Sequence, residues 1–221
     1  MGLTPYKSQQ FIVEAFDLEL WCPVLQAKFH VPKLETLREL LGDMAKDDLA
    51  LERGYSLEDT DLAAVAEKFE LNFELKKLEG RQIDVCLRRL HKIDVAPYLV
   101  HTGYELPLLL DGRKKLAVMP FEYPPMTQDG EEQFDIWVAA GKLHKEVVLK
   151  PFKKSIGAFD GIRTVYYALK GEEWRIPAMK LIWKTAEQSG WDDSFERWEG
   201  MLYGYENWQI DWWMENRGKN E

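Results

Sequence analysis

Apolar positions in the N-terminal part of the chain follow first a two-residue period and then a helical one. Within 11–21 apolar residues alternate with acidic ones, which predicts a half-buried strand. After Pro32 leucines recur three and four residues apart until Gly42, which predicts an amphipathic helix that ends there. Ser56 followed by Asp59 predicts the beginning of a second helix.

The middle of the chain contains short apolar runs that are typical of strands. The alternation over 69–75 favours a strand over a continuation of the preceding helix. Ala140 and Gly141 lie between two of the other runs and predict a hairpin. The loop 123–132, with its prolines and glycine, is the best candidate for a boundary between lobes. The remaining predicted strands are 83–87, 116–121, 134–138, 143–149 and 164–169.

The last sixty residues have apolar positions at helical spacing. Pro177 fits a first helical turn, Asp193 and Glu196 have the spacing of a capping box, and Gly204 can end the helix that follows. Strands in the middle and helices at both ends predict an α+β fold. We expect one domain over 1–221, with a central, mostly antiparallel sheet, and two lobes as the alternative arrangement.

Composition indicates a folded, soluble protein. Hydrophobic residues make up 46% of the 221 residues and charged residues 30%, so the chain has enough apolar surface to form a core. No apolar run approaches the roughly 20 residues that cross a bilayer, and the N-terminus lacks a secretory pattern. We therefore expect a cytoplasmic protein without membrane contact, in which Cys22 and Cys86 are buried free thiols.

Negative charge is concentrated in two stretches. The net charge is −9, and residues 43–70 hold nine acids against three bases, while 187–215 hold eight acids against Arg197 alone. Nucleic-acid binders usually carry the opposite excess, so no nucleic-acid partner is expected. These stretches are either solvated helix faces or, in the sharper interpretation, two acidic surfaces available to a basic protein partner.

Motifs for phosphate, metal and nucleophile chemistry are absent from the sequence. No glycine-rich phosphate loop, paired-histidine zinc motif, nucleophile elbow or Cys-x-x-Cys occurs in it. The four histidines lie far apart. We therefore predict neither a metal nor a cofactor, although distant residues can assemble a metal site.

The stretch 98–115 contains groups suited to acid–base chemistry. His101 is of the type that titrates near neutral pH, and Glu105 precedes an apolar run that would raise the pKa of its carboxyl. Tyr104 and Arg113 add hydrogen-bonding groups nearby. In the alternative interpretation His101 bonds a backbone carbonyl and Arg113 decorates a turn.

A second candidate stretch follows the last predicted strand. Glu172, Glu173 and Arg175 lie where this strand ends and the C-terminal helices begin, a place where ligand sites often form. In the alternative interpretation the two acids favour the start of a helix and Arg175 pairs locally. Together with His101 and Glu105, these residues define a candidate pocket.

Tryptophan is concentrated in the C-terminal part, where seven of the nine lie after residue 170. Trp183 and Trp198 belong to apolar stripes at helical spacing and are predicted to be buried. The final helix has little polar surface, so it either docks within the chain or contacts a partner or a second copy in a homodimer. The partner interface predicted on this helix consists of Trp208, Asp211, Trp212 and Glu215.

Two function classes follow from these patterns. The first is a non-enzymatic, acidic interaction protein that neutralises a basic protein, in the manner of an immunity protein or an antitoxin. Acidic surfaces would speed encounter with such a partner, and tryptophan anchors would slow its release. The second is an enzyme or small-molecule-binding protein with a pocket around His101, Glu105, Glu173 and Arg175.

Overall fold

The chain divides by its internal contacts into two compact units. The computed structural model describes residues 9–218, of which 9–103 form the first unit and 104–218 the second. The loop 123–132, expected from the sequence as a boundary, lies inside the second unit. Both units combine helices with antiparallel strands, so the α+β class is confirmed, and the strands form two sheets instead of one central sheet.

The first unit contains a four-stranded antiparallel sheet and two helices. Its central strand packs Phe11, Val13 and Ala15 into a core with Leu37 and Val65 from the two helices. In space the strands follow the order β2-β1-β4-β3. The elements are β1 (Gln10–Asp17), β2 (Cys22–His30), α1 (Leu34–Leu41), β3 (Tyr55–Ser56), α2 (Asp59–Lys68) and β4 (Ile83–Arg89).

The strand predicted over 69–75 is wrong. Phe69 ends α2, Glu70 turns the chain with a φ of 54°, and only a short 3₁₀ turn follows at Leu75–Leu78. The apolar side chains of the segment still pack against the first core. Alternating apolar and polar residues show only that one side of a segment is buried. An irregular segment that packs on a core therefore has the same sequence pattern as a strand.

A carboxylate organises the turn between α1 and β3. Asp48 accepts hydrogen bonds from the backbone amides of Glu52, at 3.1 Å, and Arg53, at 2.9 Å, and from the Tyr55 hydroxyl, at 2.6 Å. Burial alone would raise the pKa of Asp48, but these bonds outweigh it and lower the pKa to about 2. The ionised carboxylate therefore stabilises the folded state.

We expect Asp48→Asn to lower the free energy of unfolding by about 2 kcal/mol at pH 7. The folded pKa lies below the unfolded value, so this contribution is complete above about pH 4 and is lost as the pH falls toward 2. Urea unfolding of the wild-type protein and Asp48→Asn at several pH values from neutral down to this acidic range measures the difference in their free energies of unfolding. A difference that does not shrink on acidification would contradict the assignment.

The second unit contains a three-stranded antiparallel sheet with helices on both faces. Its strands follow the order β5-β7-β6. Tyr166 and Ala168 of β7 pack against the C-terminal helices, whereas Tyr167 stacks on Phe134 at 4.7 Å on the other face. The elements are α3 (Glu105–Leu110), β5 (Leu116–Tyr123), α4 (Glu131–Ala139), β6 (Leu143–Ile156), β7 (Phe159–Leu169), α5 (Arg175–Ser189), α6 (Asp193–Tyr203) and α7 (Asn207–Asn216).

The strand predicted over 134–138 is a helix, α4. Phe134 is buried while Ile136 is 61% exposed, so the apolar run covers both sides of the helix and hides its period. Acids in the first turn favour a helix there. The predicted hairpin at Ala140 and Gly141 is therefore a helix-to-strand connection, and the hairpin of this unit joins β6 to β7.

A charged network lies between α4 and the sheet. Both nitrogens of the Arg163 fork donate to the buried Glu131 carboxylate, at 2.5 and 2.9 Å. Lys145 bridges Glu131, at 3.1 Å, and Asp135, at 2.7 Å, and the Tyr167 hydroxyl donates to Asp135. Burial raises the pKa of Glu131, but its hydrogen bonds outweigh this and leave the pKa below its usual range.

Two expectations from composition are met in part over residues 9–218. No helix in this range is both long and apolar enough to cross a membrane. Cys22 and Cys86 are free, as expected; Cys22 is buried and Cys86 is half-buried.

Candidate docking site

The candidate site is formed by α5 and α6, which a three-residue turn connects. The carboxylate of Asp192 caps α6 by accepting from the amides of Ser194, at 2.8 Å, and Phe195, at 3.1 Å. The predicted capping box of Asp193 and Glu196 is therefore wrong: the cap is Asp192, and the third helical residue is Phe195, which has no acceptor to complete a box. Gly204 ends α6 with a φ of 100°, and a Cβ there would lie 2.7 Å from the carbonyl oxygen of Arg113. Asp192 and Gly204 therefore determine where α6 begins and ends.

Helix α5 carries two apolar stripes. Ile176, Met179 and Ile182 form the inner one and are buried in the core of the second unit. The outer one lies on another side of the helix, at spacings of three and four residues. It consists of Trp174, just before the helix, and Ala178, Leu181 and Thr185.

The outer stripe faces an apolar groove of about 490 Å³. Helix α6 lines its other side with Phe195, Trp198, Met201 and Leu202. Four of the lining side chains, Trp174, Leu181, Trp198 and Met201, are between 51% and 65% exposed. Isolated exposed apolar residues are ordinary on a protein surface, whereas a contiguous set around a concavity is typical of interaction surfaces and makes this groove a candidate site.

Arg175 is the charged residue in the lining of this groove. Its Nε donates to Glu172 at 2.7 Å and its Nη1 donates to the carbonyls of Met201, at 2.8 Å, and Leu202, at 3.2 Å. Its guanidinium also lies 4.7 Å from the centre of the Trp174 ring. Arg175 therefore ties the beginning of α5 to the end of α6, and its charge is compensated by Glu172.

Two glutamates of α6 accept hydrogen bonds from three indole N–H groups. Glu196 accepts from Trp191, at 2.8 Å, and Trp213, at 2.7 Å. Glu199 accepts from Trp183 at 3.3 Å, and burial raises the pKa of its carboxyl. These three tryptophans therefore serve the packing of the C-terminal helices, whereas Trp174 and Trp198 line the groove.

A buried lysine lies in the same unit. The Lys114 ammonium is 4.8 Å from the centre of the Tyr203 ring, and burial lowers its pKa to about 8 while the charges of Glu105 and Glu199 oppose this. Burial also raises the pKa of Tyr203 well above its usual range. The sequence patterns did not single out this lysine.

The residues of the predicted pocket belong to both units. His101 is buried in the first unit, and Glu105, the first residue of α3, lies in the second. Glu173 accepts from the amide of Gly171 and pairs with Lys170, and its pKa is lowered by the backbone amides. The convergence of His101 and Glu105 on Glu173 and Arg175 stays a prediction.

Among the remaining candidate residues Arg113 and Glu172 make local contacts, and a ligand-binding role for these residues stays a prediction. Tyr104 is the residue just before α3. Arg113 is paired with Asp111 at 2.6 Å on the surface. The hydrogen bond from Arg175 lowers the pKa of Glu172. These contacts are the ones that the alternative interpretation of both stretches anticipated for Arg113 and Arg175.

The predicted interface on α7 is partly occupied by contacts within the unit. The Trp208 indole donates to Glu206 at 2.8 Å, and Asp211 pairs with Arg197 at 2.6 Å. Trp212 is half-buried and Glu215 is exposed. A role of these residues in partner binding stays a prediction.

Sequence patterns missed the groove because they placed Trp198 in the core. Trp198 is in fact half-exposed, with its ring in edge-on contact with Phe195 at 5.7 Å. The signal that could have revealed the site was the second apolar stripe of α5, since one helix cannot bury two stripes against a single sheet.

The candidate site holds no group of metal ligands. Within residues 9–218 no three histidine, cysteine, aspartate or glutamate side chains are placed to bind a metal ion. Searches against protein-family models, curated proteins and solved structures found no match to this chain.

Proposed function

We propose that this protein binds another protein through the groove between α5 and α6. The observation that carries this proposal is the contiguous set of four large apolar side chains, each more than half exposed, around a cavity of about 490 Å³. Two of the four are tryptophans, the residue type most enriched among interface hot spots. Burying such side chains against a partner would remove a large apolar area from water.

The charge distribution supports a basic partner. Residues 187–215, which include all of α6, hold eight acids against Arg197, and the chain carries a net charge of −9. In the first unit, the stretch 43–70 adds exposed carboxylates on and around α2. A positively charged protein would be steered toward such a molecule, with an association rate that falls as salt rises. A basic enzyme that is neutralised by binding is the partner class expected from the sequence.

The test compares the wild-type chain with two substitutions of equal chemistry. Leu181→Glu places a charge in the groove, and Ile136→Glu places one on the equally exposed surface of α4. Each full-length protein is immobilised and exposed to a lysate of the source organism, and the retained proteins are identified and purified. We expect a basic protein that wild type and Ile136→Glu retain and that Leu181→Glu loses, with Kd raised about 30-fold.

Salt dependence provides the second readout. Raising the salt from about 0.05 M to about 0.5 M shortens the screening length several-fold and should slow association while leaving dissociation nearly unchanged. Inhibition of the purified partner's own activity would establish neutralisation. Equal retention by Leu181→Glu and wild type would refute binding through the groove.

A further inference from the structure

The walls of the groove restrict what its occupant can be. Both walls are α-helices, whose backbone groups are hydrogen-bonded within α5 and α6 along most of their length. An extended segment binds tightly by adding to the open edge of a sheet, and a helix offers no such edge. Affinity at this site must therefore come from side chains that interlock with the residues of the two helices.

The groove is long enough to accommodate a helix. Its α5 wall runs from Trp174 to Thr185, eleven residues apart, or about 16 Å at the rise of an α-helix. This length accommodates about three turns of a second helix. Side chains of that helix at positions i, i+3, i+4 and i+7 would fill the space between α5 and α6, as ridges fill grooves in helix packing.

We propose that the occupant of this groove is an amphipathic α-helix of the partner, with an apolar stripe flanked by lysine or arginine. This inference rests on the proposed function and specifies the element that binds. Its apolar stripe contacts Trp174, Leu181, Trp198 and Met201. The resulting three-helix arrangement buries the outer stripe of α5 as the sheet already buries the inner one.

The charges around the groove determine the flanks of the bound helix. Within the groove, the charge of Arg175 is compensated by Glu172. The lining therefore favours apolar side chains of the partner over charged ones. Around it, several acids of 187–215 are already paired: Asp211 with Arg197, Asp193 and Glu196 with Arg217, and Glu187 with Lys150. The exposed carboxylates of Asp192, Glu206 and Glu215 leave this stretch acidic. Basic flanks are complementary to this surface, and acidic flanks would be repelled.

Three synthetic peptides of about 18 residues, or five helical turns, test the inference on the intact protein. The first places leucines at i, i+3, i+4 and i+7 with lysines elsewhere. The second has the same composition with leucine and lysine arranged at a two-residue period. The third keeps the helical pattern and replaces lysine with glutamate. Binding is followed by the indole N–H resonances of Trp174 and Trp198, assigned with single Trp→Phe substitutions, and by titration calorimetry.

We expect the helical lysine peptide to shift both indole resonances and to bind at least about tenfold more tightly than either other peptide. Leu181→Glu should weaken this binding about tenfold or more, and Ile136→Glu should leave it unchanged. Equal binding of the two lysine peptides, or no shift of either indole, would overturn the helical occupant. Neither result contradicts the proposed function, which is tested separately by whether Leu181→Glu loses the captured protein. The failure of the helical occupant and the failure of the proposed function are therefore distinguishable.

Discussion

Replacing Glu131 with glutamine should destabilise the second unit by about 3–5 kcal/mol. Glu131 is buried on α4 and receives both nitrogens of the Arg163 fork, and Arg163 is buried as well. The amide is nearly isosteric with the carboxylate but cannot balance the guanidinium charge. The variant therefore leaves a positive charge uncompensated in a medium of low polarity, which is the costly way to break such a pair.

Tryptophan fluorescence during urea unfolding measures this effect, because eight of the nine tryptophans belong to the second unit. Asp135→Asn is the matched control: this side chain is nearly half exposed, so its removal from Lys145 should cost about 1 kcal/mol or less. The double variant Glu131→Gln/Arg163→Met should recover much of the loss, since the unpaired charge is gone. A loss below about 1 kcal/mol for Glu131→Gln would show that the network does not depend on this charge.

Replacing Phe11 with alanine should destabilise the first unit by about 3–5 kcal/mol. Phe11 is fully buried on the central strand of its sheet, its ring centre 6.1 Å from that of Phe29 and 5.1 Å from the guanidinium carbon of Arg89. Its strand is paired on both sides, so the surrounding backbone cannot collapse into the space that the ring leaves. The cost therefore includes both the lost burial and the cavity.

Hydrogen exchange of the amides of β1, β2 and β4 measures this loss in the first unit directly, because their opening reports the stability of the sheet. Phe16→Ala is the control on the same strand. Phe16 is half-buried and meets Trp21 edge-on at 5.4 Å, so its truncation should cost about 1 kcal/mol. Equal losses for the two variants would mean that Phe11 is not a core anchor.

The sequence predicted most of the helices and strands correctly. The leucine pattern of α1, the strands at 83–87, 116–121 and 164–169, and the C-terminal helices were all confirmed. The errors occur where burial does not follow the period of the backbone. The alternation at 69–75 belongs to an irregular segment, and the apolar run of α4 leaves Ile136 exposed.

The candidate site was outside the reach of these patterns for a related reason. Periodicity identifies which residues share a face of a helix, but it does not reveal whether another element covers that face. The stripe with Trp198 was therefore interpreted as core, although half of this side chain is exposed at the groove. Likewise, nothing in the spacing of Glu196 and Glu199 indicated that they hold three indoles in place.

The sequence by itself determined the α+β class, the position of most helices and strands, and the concentration of acids in 43–70 and 187–215, because these depend on local pattern and composition. Only the tertiary structure decided that the strands divide into two sheets, that Glu131 and Arg163 pair in the interior, and that α5 and α6 leave an apolar groove open. Each of these depends on contacts between residues far apart in sequence, whose partners are chosen by packing of the whole unit.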